Sequence, residues 1–232
     1  MKFLGIDLAW KAANPASDST ALCTLDSNGN LQDLVTCTSD LEILGFIQED
    51  VVWIGIDAPL RVPYDQGMRK CERSLRSMGV PVLPSNRKFM TAHFGGLRGE
   101  AIVKELPLRG YAPAEALGSA PKAYFEVYPH GTLAMLTEGE VPPYKHGPAE
   151  SRRVAMAEVL EVLRSWQPKM TAMGLSNEIQ QASAQGLKTL GDRIDAMLCV
   201  ACVYAHWLSK GKSTALVGGE KEGFILLPLP GR

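Results

Sequence analysis

Two separate stretches of the chain end in the same three residues. Gly5-Ile6-Asp7 falls at the end of the apolar run Lys2 to Leu8, and Gly55-Ile56-Asp57 closes the run Val51 to Asp57. Runs of this length, rich in branched apolar residues and closed by an acid, read as buried strands. Ser39 to Asp50 lies between them. Ser39 is a good N-cap, and Leu41, Leu44, Phe46 and Ile47 give a helical apolar face. A strand, a helix and a second strand predict a right-handed crossover, with the two strands parallel. Parallel neighbours end at the same edge of a sheet. The matched motifs therefore bring Asp7 and Asp57 together in space. Two carboxylates held that close repel each other unless a proton or a cation intervenes. Hard oxygen donors of this kind suit Mg2+ or Mn2+.

The segments around this unit complete a mixed α/β sheet. Thr20 to Leu25 and Leu31 to Thr38 flank Asp26-Ser27-Asn28-Gly29-Asn30, and Asn-Gly favours the tight turn of a β-hairpin. Ala123 to Tyr128 reads as a further strand, stopped by Pro129, with one or two helical turns over His130 to Leu136. Ala149 to Trp166 and Leu190 to Leu208 carry apolar stripes at helical spacing; Val154, Ala157, Val159, Leu160 and Leu163 make the first. Gly223 to Leu227 reads as a terminal strand. Residues 61–121 are rich in Pro and Gly and are expected to form a long irregular insert. Two helices are expected there, Tyr64 to Met78 and a short one near Arg98 to Leu106. A length of 232 residues fits one domain spanning residues 1–232 with this insert.

Further acids are candidates for the same site. Asp192 and Asp195 are three apart and share a helix face. Thr189-Leu190-Gly191-Asp192 fits a capping box, which accounts for Asp192 structurally. Asp195 borders the apolar stripe and is preferred as a metal ligand, with Asp192 a close second. Glu126 shares a strand face with Tyr124 and Tyr128, either as part of the site or on a polar outer face of an edge strand.

These stretches resemble a family on the ribonuclease H-like fold, the predicted nucleases known as domain of unknown function 429. The resemblance lies in Gly5-Ile6-Asp7-Leu8-Ala9-Trp10, Ile56-Asp57-Ala58-Pro59-Leu60, Glu126-Val127-Tyr128-Pro129, Tyr144-Lys145, Asp192-Arg193-Ile194-Asp195-Ala196 and Glu222-Gly223-Phe224-Ile225 with Pro228. They occur in the expected order across nearly the whole chain. The resemblance implies a ribonuclease H-like mixed sheet. It also implies that Asp7, Asp57 and Asp195 hold Mg2+ or Mn2+, with Asp192 or Glu126 assisting, to hydrolyse phosphodiester bonds in nucleic acid, DNA or RNA.

The net charge of −1 argues against a globally basic nucleic-acid binder. A local bias remains. Between Arg61 and Arg109 there are ten basic residues and four acids, so Arg61, Arg73 and Arg87, with Lys145, are candidate phosphate contacts. For Lys145 a solvent-facing position is the plainer expectation. Cys199 and Cys202 lie three apart on an apolar helix without further zinc ligands, so they are expected to pack in the core. His93, His130, His146 and His206 have no metal spacing. The opening run, interrupted by Asp7, is not a signal peptide, and no membrane span is expected. An odd, scattered set of five cysteines suggests reduced thiols in the cytoplasm. Two other functions use such a fold. A sugar-kinase or actin-like phosphotransferase needs a Gly-rich turn after the first strand, and Leu8-Ala9-Trp10 stands there instead. A non-catalytic binding module needs no metal.

Overall fold

The computed structural model describes residues 1–11, 19–116, 121–170 and 174–230. Residues 117–120 of the expected insert lie outside these. The strands are β1 (Lys2–Asp7), β2 (Thr20–Asp26), β3 (Leu31–Cys37), β4 (Val51–Asp57), β5 (Tyr111–Pro113), β6 (Lys122–Val127), β7 (Thr214–Gly219) and β8 (Gly223–Pro228). They form one mixed sheet in the order β3-β2-β1-β4-β6-β8-β7. The short β5 shares the far edge of β6 with β8, β5 taking its first half and β8 its end. β1, β2 and β3 are antiparallel neighbours, whereas β1 with β4, β4 with β6 and β6 with β8 are parallel. An antiparallel hairpin joined to parallel strands and flanked by helices is consistent with a ribonuclease H-like fold.

The helices are α1 (Asp40–Phe46), α2 (Lys70–Ser77), α3 (Arg87–Phe94), α4 (Arg98–Val103), α5 (Pro129–Leu136), α6 (Ala149–Trp166), α7 (Leu175–Gln181) and α8 (Ala184–Leu208). The long α8 lies across one face of the sheet. Its residues Ile194 to Ala205 are all buried, and α5, α6 and α7 cover its outer side. The opposite face, with Leu4, Ile6, Ile54 and Ile56, packs on Ile43 of α1 and on Ile102 and Val103 of α4. Burying each such side chain contributes about 1.5–3 kcal/mol.

The register explains how α8 approaches so closely. Gly5, Ile6 and Asp7 lie directly opposite Gly55, Ile56 and Asp57. Side chains alternate along a strand, so each glycine shares a face with the acid two residues on. That face meets α8. A methyl group at Gly5 would stand 2.1 Å from the Ala196 carbonyl oxygen, and one at Gly55 2.6 Å from that of Cys199. Both glycines are needed for the helix to lie against the strands.

Several expectations need correction. The helix over Tyr64 to Met78 shrinks to α2, because Gly67 has φ +89° and the Tyr64 and Asp65 carbonyls accept the Arg87 and Lys88 N–H groups instead. The insert holds more structure than expected. α3 is capped by Asn86, whose side chain accepts the Phe89 N–H, and ends at Gly95 with φ +78°. α1 has the Ser39 cap, with Glu42 completing a capping box, but Leu41 is 83% exposed and Ile43 carries the buried side. In α6, Val154 and Ala157 are exposed, while Ala155 and Met156 face inward. α8 begins at Ala184, where the Ser183 side chain accepts the Gly186 N–H. Asp192 therefore lies in the third turn, and the expected capping box does not exist. β6 is paired on both sides, which rules out an edge strand for Glu126. α7 and β7 were not anticipated. All five cysteines are buried and free, as packing residues. Among the described residues no helix is long and apolar enough to cross a membrane.

Candidate metal centre

Three elements meet at the C-terminal ends of β1 and β4. Carboxylate oxygens of Asp7, Asp57 and Asp195 lie within 4.8 Å of one another. Asp7 and Asp57 reach this point because their strands end in register, and Asp195 because the glycines let α8 close on the sheet. Asp195 is only 3% exposed. The Tyr144 hydroxyl, itself buried, donates to Asp195 Oδ1. Lys145 follows in the same loop. Its ammonium contacts Asp195 Oδ2 and stands 3.5 Å from Asp192 Oδ1 and 3.8 Å from Asp7 Oδ2. Lys145 is exposed, as expected for a solvent-facing lysine, but its ammonium is also held among three acids by charge.

Lys145, with Lys188 acting on Asp192, leaves four carboxylates facing two ammonium groups. Burial pushes the Asp7 carboxyl well above the usual range, and although Lys145 opposes this, Asp195, Asp57 and Asp192 add to it. Asp57 is pushed up to about 8, chiefly by burial and then by Asp195. Asp192 is raised for the same first reason. Burial alone would lower the Lys145 ammonium, but Asp195 and Asp7 hold it above its ordinary value. Tyr144 is raised by burial and by Asp195, so it stays a neutral donor.

The donor set fits a hard divalent cation. All the groups are carboxylate oxygens on rigid elements. Oxygens on opposite sides of one Mg2+ lie about 4.2 Å apart, twice the metal–oxygen distance. A span of 4.8 Å is close to that. Asp192 stands outside the set of three and enters through Lys145, so Asp195 is the better-placed acid of the pair.

Glu126 has a different setting. The Arg69 guanidinium binds it through two hydrogen bonds, of 2.9 Å to Oε2 and 2.6 Å to Oε1, and the Leu60 N–H donates to Oε2 at 2.9 Å. Arg69 also donates to Glu72 at 2.8 Å. These three charged side chains are all buried. Glu126 is thus committed to holding the chain just after β4.

The cavity over the acids has a volume of about 350 Å³ and is lined by Trp10, Phe94, Lys11, Lys145 and Lys188 in addition to Asp7, Asp57 and Asp192. Arg61, Arg73 and Arg87 are not among its walls. Arg61 binds Glu115 at 2.8 Å, Arg73 binds the Met68 carbonyl and Glu222, and Arg87 binds Glu100 at 3.0 Å. Most of the basic bias of the insert is spent in this way. Arg98, for instance, pairs with Asp40 and donates to the Ala9 carbonyl at 2.7 Å, anchoring the loop after β1.

Sequence reasoning gave no role to Tyr144, Trp10, Phe94, Lys11 or Lys188. Trp10 lies three residues after Asp7, and its Nε1 donates to the Asp57 carbonyl at 3.2 Å, tying the two strand ends together. Its place three residues after the Gly-Ile-Asp motif is a signal for this role. Phe94 packs edge-on with it at 4.9 Å between centroids and comes from α3, which the sequence did not disclose.

The stretches that build this centre also carry the chain's relationship. Searches among curated proteins and among solved structures gave no match. The model of a family described as "Protein of unknown function (DUF429)" matches residues 5–222, from the first glycine of the β1 motif to Glu222 just before β8. The chain belongs to the DUF429 family.

Proposed function

We propose that the protein is a divalent-metal-dependent nuclease that hydrolyses phosphodiester bonds in DNA or RNA. The observation that supports this reading best is the convergence of Asp7, Asp57 and Asp195 from two strands and a helix on a single point. Mg2+ or Mn2+ held there would activate water and neutralise charge on the phosphate. The remaining roles belong to the chain itself. Asp7, Asp57 and Asp195 hold the cation. Tyr144 fixes the carboxylate of Asp195 through its hydrogen bond. Lys145 balances the acids before substrate arrives and, with Lys11 and Lys188, gives the cavity wall the positive charge that a phosphate needs. Asp192 steadies Lys145. Glu126 acts indirectly, by fixing the backbone at Leu60.

Incubation with a panel of single- and double-stranded DNA and RNA, in Mg2+ or Mn2+, tests the reading. Wild type is expected to cleave at least one substrate and Asp7→Asn to cleave none. Equal behaviour of the two proteins would sink it. A second reading, a non-catalytic binding module, is favoured by one observation: Lys145 already closes the acid cluster with an internal ion pair. Mn2+ binding separates the two, since a module shows no metal dependence, whereas in a nuclease Asp57→Asn weakens metal binding.

A further inference from the structure

A second cavity, of about 120 Å³, also has Asp57 in its wall. Trp10 and Asp57 line both this cavity and the one over the acids. Its walls are otherwise mostly apolar, with Pro59, Leu83, Val127, Tyr128 and Ile225. Arg69 and Glu126 also border it, but they satisfy each other through paired hydrogen bonds. Apart from Asp57, which it shares with the acid cluster, the cavity therefore borders no charged group without a partner. The cavity over the acids is the opposite, with its carboxylates and lysines.

Size narrows the occupant further. An apolar cavity of about 150 Å³ takes one benzene, so a cavity of similar size takes one planar ring system and no more. Leu83 is 57% exposed, a large apolar side chain in solvent beside a largely apolar cavity that it helps to line. Tyr128 is held in place by its hydroxyl, which donates to the Pro81 carbonyl at 2.7 Å. A charged centre beside a largely apolar, ring-sized cavity, with one aspartate common to both, matches a ligand in which a phosphate and a flat ring are neighbours.

We propose that this cavity is a base pocket, which takes one nucleobase of a strand whose phosphodiester lies over Asp57, and that the substrate is therefore single-stranded at that point. The position of the phosphate rests on the nuclease reading. A base inside a duplex is stacked on both faces and paired along its edge, so it must leave the helix to enter such a pocket. A single strand offers the base freely, and a base packed against a protein ring gains affinity for any sequence.

The test uses the full chain carrying Asp7→Asn, in Mn2+ and in chelator, with a fluorescent short oligonucleotide read by anisotropy. The same sequence is offered as a single strand, as a blunt duplex and as a series of strands with one abasic site moved along them. The single strand is expected to bind about tenfold more tightly than the duplex, and one abasic position to cost about tenfold, the scale of one stacked base. Leu83→Glu should lose a similar factor without changing Mn2+ binding. Leu41→Glu, an equal charge change at an exposed site on α1, should change nothing. Equal binding of duplex and single strand, no sensitive abasic position, or equal behaviour of Leu83→Glu and Leu41→Glu would each overturn the proposal. So would competition by a free nucleoside monophosphate as effective as that of the strand. Wild-type cleavage separates this inference from the nuclease reading. Base-dependent binding without cleavage in any metal supports the pocket and defeats the nuclease. Cleavage indifferent to strandedness defeats the pocket alone.

Discussion

The molecule buries two clusters of charge within one sheet edge's reach of each other, and they are built on opposite terms. Around Arg69, one guanidinium serves Glu72 and Glu126, and its hydrogen bonds to both are short and well directed. Around Lys145, one ammonium faces Asp7, Asp192 and Asp195, with Asp57 close behind. In the first cluster every charged group is hydrogen-bonded to a partner from the chain. In the second, burial first and then neighbouring acids push the Asp7 and Asp57 carboxyls up, against the opposing charge of Lys145. A cluster that is complete holds the fold; one that is left short of positive charge is where a cation from outside can act.

The largest effect that would break this comparison comes from the finished cluster. Arg69→Met leaves two buried carboxylates without a cation and is expected to destabilise the fold by about 3–5 kcal/mol. Chemical denaturation should show this loss with and without Mn2+, because the ion has no place there. Rescue by Mn2+ would mean that the two clusters are one.

The next effect concerns pH. Asp57 stands at about 8 in the fold and returns to about 3.9 in the unfolded chain. The folded state therefore keeps protons that the unfolded chain has released. The stability this confers is full below about pH 4 and is lost as pH rises through the folded value near 8. In chelator, the melting temperature should fall between mildly acidic and mildly alkaline pH, and Asp57→Asn should flatten that fall. Mn2+ competes with the protons, so its stabilisation should grow with pH and reach about 2.7 kcal/mol at a hundredfold excess over its dissociation constant. A metal effect independent of pH would contradict the charge argument.

The smallest effect separates the two acids of α8. Asp192 contacts Lys145 from outside the set of three. Asp192→Asn should weaken Mn2+ binding by less than about 1 kcal/mol, the scale of a partly exposed ion pair. Titration calorimetry should find a much larger loss for Asp195→Asn. Equal losses would place Asp192 among the ligands.

Much of this was legible in the sequence because it depends on local pattern. The paired Gly-Ile-Asp strands, the Asn-Gly hairpin and the stripe of α8 are short-range signals, and together they name Asp7, Asp57 and Asp195. What stayed hidden depends on distant partners. Glu126 reads as a candidate ligand until Arg69, 57 residues earlier, is seen to hold it. Arg61, Arg73 and Arg87 read as a basic patch until Glu115, Glu222 and Glu100 are found beside them. Asp192 reads as a cap because the apolar pattern starts the helix at Leu190, whereas Ser183 caps α8 at Ala184. α3 was missed because its Asn86 cap and Gly95 stop sit in a Pro- and Gly-rich stretch that masks an eight-residue helix.

Gly5 and Gly55 contribute no atom to the acid cluster, yet they set its dimensions. They act as spacers of zero thickness, and the Ala196 and Cys199 carbonyls lie where a single methyl group would otherwise stand. Widening that seam would move Asp195 away from Asp7 and Asp57 as one rigid unit with α8. The gauge of the acid cluster is therefore written two residues upstream of its strand acids, and tuning the cluster by design means adjusting the seam before touching any carboxylate.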